Sequence, residues 1–158
     1  MIVVADTGPV NYLVLSGHVG LVHELYGALI IPAAVHGELL HPRTPLKVRE
    51  WAKALPVWAE VREATDPWRF ADLGPGEREA ISLALEVKAD FVLMDETLGR
   101  KVAVKNNVAV KGTLGILEEA AHRGLVDLSE AVHKLRTTGI FLSDEIVEGA
   151  LKRHRDRG

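Results

Sequence analysis

Short apolar runs alternate with longer amphipathic segments along this chain. Five of the runs read as strands: Ile2–Ala5, Ala28–Ile31, Val57–Val61, Phe91–Met94 and Val108–Val110. They are short, aliphatic at successive positions and rich in β-branched residues, as strands buried on both faces are. Between them the apolar positions recur at helical spacing. Val10–Tyr26 reads as two helices with a turn near Gly17 and Gly20. Pro32 opens a short helix through Val35 and Leu39, and Leu46–Leu55 forms another, stopped by Pro56. Gly76–Lys88 has a broad apolar face of Ala80, Ile81, Ala84, Leu85 and Val87, with Glu77 and Glu79 in its first turn, where carboxylates suit the helix dipole. Thr113 is placed to cap Leu114–His122, and Ser129–Arg136 and Ser143–Arg155 complete the helices. Strands alternating with helices predict one α/β domain over residues 1–158, built on a parallel sheet with both faces covered.

Composition narrows the chemistry. With 158 residues, 47% of them hydrophobic and 26% charged, the chain suits one sizeable core. Nineteen basic residues against 22 acidic ones give a net charge of −3, so any nucleic-acid contact requires a local basic patch. The candidates are Arg100, Lys101, Lys105 and Lys111, together with the terminal LKRHRDRG. The absence of cysteine excludes disulfides, thiolate zinc sites and cysteine catalysis, and suits a cytoplasmic location. No apolar run reaches the length of a membrane span, and the first residues lack the basic start of a signal peptide.

Two apolar strands end in an acid: IVVA in Asp6 and FVLM in Asp95. Open parallel sheets bind ligands beyond the C-terminal ends of their strands, where the strand order reverses. If these strands are neighbours, Asp6 and Asp95 meet there. Glu38, in the short helix after the second strand, and Glu79, in the first turn after Gly76, lie near the same edge. Glu77 and Glu79 are about 200° apart around a helix, so at most one of them can face the crevice. Each acid alone has an ordinary reading as a helix cap or a solvated surface charge. Four together repel unless a cation neutralises them. Mg²⁺ or Mn²⁺, held by Asp6, Glu79 and Asp95 with help from Glu38, would meet that need and activate water for attack on phosphorus. Thr7 is placed to support Asp6.

Competing motifs are incomplete. HGELLH, His36 to His41, lacks the spacing of a zinc helix, and Gly74-Pro-Gly76 is not followed by the Lys-Ser/Thr of a phosphate loop. A receiver-type phosphoacceptor would want an acid beside Asp6, and a dehalogenase-type phosphatase would want Asp-x-Asp where Asp6-Thr7-Gly8 stands.

The ordered set VVADTGP, VHGEL, GEREAISLA, LMDETLGRKVA and VKGTLGIL resembles PIN-domain proteins from residue 1 to about residue 145. The resemblance implies a three-layer α/β/α sandwich on a central parallel sheet. It also implies a metal-dependent endoribonuclease acting on single-stranded RNA, with Asp6, Glu38, Glu79 and Asp95 as the site acids. It further implies a toxin held by a small antitoxin protein, and a homodimer. The third acid is a glutamate where the family usually has aspartate, and Leu93 stands where a hydroxyl residue is common. The alternative is a PIN-like scaffold without catalysis that binds RNA or protein.

Overall fold

The computed structural model describes residues 1–158. Its strands are β1 (Val3–Ala5), β2 (Leu29–Pro32), β3 (Ala59–Arg62), β4 (Phe91–Leu93) and β5 (Val110–Lys111). The helices are α1 (Thr7–Leu15), α2 (Gly20–Tyr26), α3 (Ala33–Leu39), α4 (Leu46–Lys53), α5 (Pro75–Val87), α6 (Thr97–Lys105), α7 (Thr113–His122), α8 (Leu128–Arg136) and α9 (Asp144–Arg157). All strands run parallel in the order β3-β2-β1-β4-β5. This is the three-layer sandwich expected from the sequence.

Alternation along the strands divides the core in two. Val3, Ala5, Leu29, Ile31, Phe91 and Leu93 point to one face, under α1–α4 and α7–α9. Val4, Val92 and Met94 point to the other, which α5 and α6 cover through Ala80, Ile81, Ala84 and Ala103. Successive side chains of a strand face opposite ways, so a strand between two helical layers must be apolar at every position. That is why these strands show no polar alternation.

Some boundaries move, with visible causes. β3 begins two residues late because the Ala59 N–H turns back to Pro56 O (3.0 Å), leaving Val57 fully exposed. β5 also starts late, because the Val108 N–H donates to Ala103 O and closes α6. Pro32 ends β2 instead of opening α3. Thr113 is the first residue of α7, and Gly112 takes the cap position.

Two consequences matter for the site. β1 lies between β2 and β4, so the strand order reverses at the β1–β4 pair. Ala5 is paired with Leu93, and the Asp6 N–H continues the ladder to Leu93 O (2.9 Å). The chain beyond β1 and the chain beyond β4 therefore leave the sheet side by side.

Candidate active site

Asp6 sits where β1 ends and α1 begins, and only 5% of its surface is exposed. Glu38 comes from α3, Glu77 from the first turn of α5, and Asp95 and Glu96 from the β4–α6 connection. These five acids, with Thr7, line one crevice of about 240 Å³. Burial pushes the Asp6 carboxyl up to about 7; the Thr7 amide opposes the rise, and the charges of Glu77, Glu38 and Asp95 add to it. Burial likewise raises Glu77, with Glu96 and Glu38 adding and the Gly74 amide opposing.

Asp6, Glu38 and Asp95 thus lie where the sequence led us to expect. Glu79 does not line the crevice. It is 2% exposed, its Oε1 accepts from the Ala34 N–H (2.7 Å), and its Oε2 accepts from the Ala64 N–H (3.2 Å). It therefore ties α5 to the start of α3 and to the segment after β3, and Glu77 occupies the crevice in its place. Glu96 stands at the cap position of α6 without a side-chain cap bond and lines the crevice.

The remaining acids are held by specific donors. Glu38 accepts from the Gly76 N–H (3.1 Å) and from the Thr7 hydroxyl. Thr7 therefore supports Asp6 through its backbone and Glu38 through its side chain. Asp95 accepts from the Thr113 N–H (2.8 Å) and the Thr113 hydroxyl (2.6 Å). Its carboxylate caps α7 from across the sheet, satisfying one of the amides that every helix start leaves open. All donors in the crevice are oxygen, the ligand type that hard dications prefer. As the side chains stand, no three acids already converge on one ligating point.

A family model described as PIN domain matches residues 2–156. The chain belongs to the PIN-domain family. PIN domains are in general nuclease-like, use divalent metal ions and bind nucleic acids. A PilT N-terminus domain protein from the hyperthermophilic archaeon Sulfolobus solfataricus P2 has a similar fold: TM-score 0.56 at 15% identity, covering 76% of this chain and 93% of that one. No curated protein matches the chain. No helix of this PIN domain is long and apolar enough to cross a membrane.

The residues that sequence reasoning missed are the glycines beneath the acids. A Cβ on Gly76 would lie 2.7 Å from Glu38 Oε2, one on Gly99 2.6 Å from Glu77 Oε2, and one on Gly112 2.9 Å from Asp95 Oδ1. Three crevice acids thus rest against backbone that carries no side chain. The glycines were visible in GPGEREA, DETLGR and VKGTLG, but nothing in one sequence says what a glycine makes room for.

Proposed function

We propose that this PIN domain is a metal-dependent endoribonuclease that hydrolyses phosphodiester bonds of single-stranded RNA in the acidic crevice. The observation that carries the reading is Asp6: a buried acid at a strand end, facing three further carboxylates in a crevice that no basic side chain lines. Such a cluster is unfavourable by itself and becomes favourable around a divalent ion. Asp6, Glu77 and Asp95, assisted by Glu38, would hold Mg²⁺ or Mn²⁺. When bound, the ion would supply a water acidic enough to attack phosphorus and would stabilise the leaving oxygen.

The protein's own groups set up that chemistry. Thr113 fixes the direction of Asp95, and Thr7 and the Gly76 amide fix Glu38. The Thr7 amide leaves the rest of the Asp6 carboxylate open to the crevice. Glu96, exposed at the rim, is placed to receive a proton and pass it to solvent.

The test is cleavage of a mixed single-stranded RNA with Mn²⁺ or with EDTA. The wild type is expected to cut only with metal, and Asp6→Asn to lose about a thousandfold or more. Glu77→Gln should be severely impaired and Glu79→Gln spared per folded molecule. Metal-independent cutting, or a fully active Asp6→Asn, would overturn the reading. A toxin role goes further: expression of the wild type, and not of Asp6→Asn, would arrest growth. A small antitoxin protein and a second copy of the chain are the partners this role expects, in a cytoplasmic setting.

A further inference from the structure

A second and larger hollow opens on the other side of Asp95. It has a volume of about 650 Å³ and runs between α6, the start of α7 and the connection from α8 to α9. Asp95 lines both hollows, so the groove adjoins the acidic crevice at that residue. One wall is apolar, made of Ile140, Phe141, Leu142 and Ile146. Phe141 is 88% exposed, an unusual position for a large aromatic side chain that packs into neither core cluster.

The charges along the groove are unequal. The Lys111 ammonium is turned to the Tyr26 hydroxyl at 3.1 Å and lies 4.7 Å from the centre of the Phe91 ring. Glu118 is neutralised by Arg153 at 2.8 Å. Arg100 differs from both. It donates to Met94 O at 2.9 Å and takes part in none of the ion pairs of the chain. Its guanidinium stands beside Asp95, close enough that a Cβ on Gly112 would lie 2.9 Å from Asp95 Oδ1 and 3.0 Å from Arg100 Nη1.

We propose that this groove is a base-binding subsite of the same centre, in which an unpaired nucleobase next to the phosphodiester at Asp95 stacks on Phe141. Arg100 takes the phosphate at the junction of the two hollows. This rests on the ribonuclease reading above and adds to it where the strand leaves the crevice. Three observations select the occupant: the wall shared at Asp95, a guanidinium beside it that forms no ion pair, and a lone exposed aromatic ring on the wall. The groove volume suits a nucleoside, which falls within the range of ordinary small-molecule sites. Bases inside an A-form helix are stacked on one another and cannot enter, so the subsite selects single strands.

Binding is measured by fluorescence anisotropy with a labelled single-stranded RNA and Mg²⁺, in the Asp6→Asn background so that the strand stays intact. Adding Phe141→Ala is expected to weaken binding about 5- to 150-fold, the effect of losing one base–aromatic stack. Phe141→Trp should restore it, and Arg100→Gln should weaken binding and flatten its salt dependence. Phe141 is solvent-exposed, so an unchanged thermal midpoint verifies that Phe141→Ala still folds. Equal affinities for Asp6→Asn with and without Phe141→Ala, or no binding of RNA by either, overturn the subsite. So does a Phe141→Ala effect that Phe141→Trp does not repair, which would mark the wall as a surface for a protein partner. Cleavage by the wild type is scored separately: metal-dependent cutting alongside a silent Phe141→Ala leaves the ribonuclease standing and removes only the subsite.

Discussion

Asp6 and Glu79 are the two most deeply buried acids of the chain, and the fold treats them in opposite ways. Both oxygens of Glu79 accept from backbone amides, those of Ala34 and Ala64, which have no other use for the donor. Asp6 has the Thr7 amide to itself and otherwise faces Glu38, Glu77 and Asp95. A buried carboxylate saturated by amides joins pieces of a structure together. One left among like charges is a standing cost that only a cation or a proton relieves. Burial by itself does not separate these cases; the donors do.

That contrast can be broken most directly at Glu79. Glu79→Ala leaves two amides without their acceptor and should cost about 3–6 kcal/mol of stability, at 1.5–3 for each hydrogen bond to a charged group. Chemical denaturation measures this, and a variant as stable as the wild type would make Glu79 a bystander. The opposite sign is expected at Asp6. In metal-free protein at pH 8, Asp6→Asn should gain on the order of 3 kcal/mol, or roughly 6–12 °C in thermal midpoint. A fall in the midpoint would show that Asp6 is structural after all.

The pH profile sharpens the same point. Folded Asp6 keeps its proton up to about pH 7, whereas the unfolded chain releases it near 3.8. The folded state therefore binds more protons between those values. Metal-free stability should decline as pH rises through that window, by at most about 1.4 kcal/mol per pH unit, and level off above it. Asp6→Asn should lack this decline. Thr113→Val, which strips the hydroxyl from Asp95, should cost about 1.5–3 kcal/mol and slow RNA cleavage. The smallest stability effect is expected at Gly76→Ala: within about 1 kcal/mol, since the flexible end of Glu38 can swing aside. Its cleavage should nonetheless fall sharply, because Glu38 is then displaced.

The parts that were legible in the sequence are those fixed by short-range geometry. A strand that must be apolar at every position announces itself, and the residue after it lies at the sheet edge by construction, which is how Asp6 and Asp95 were found. The third acid depended on the rotation of α5, where one residue is worth 100°. Glu79 shares a stripe with Gly76, Ala80 and Leu83, all buried, so the apolar face already contained it. Glu77 stands off that stripe and lines the crevice. α6 was not assigned from the sequence, and its cap residue Glu96 makes no side-chain cap bond that would mark its start. The capping of α7 by Asp95 joins positions 18 apart in the chain and leaves no local trace. Phe141 lies between helices, where no periodicity assigns a direction to a side chain.

The place of β1 has a consequence for how the protein comes into being. β1 is central in the sheet, and its neighbour β4 follows only at residue 91. Until β4 has emerged and docked, Leu93 O cannot receive the Asp6 N–H, and Asp95 is not beside Asp6 at all. The acidic crevice is therefore incomplete until β4 has joined β1. The edge of β1 that awaits β4 stays open for that time, a long-range pairing of the kind that folds slowly and exposes chains to aggregation. Late closure of the sheet thus also sets when the acids of the crevice first meet.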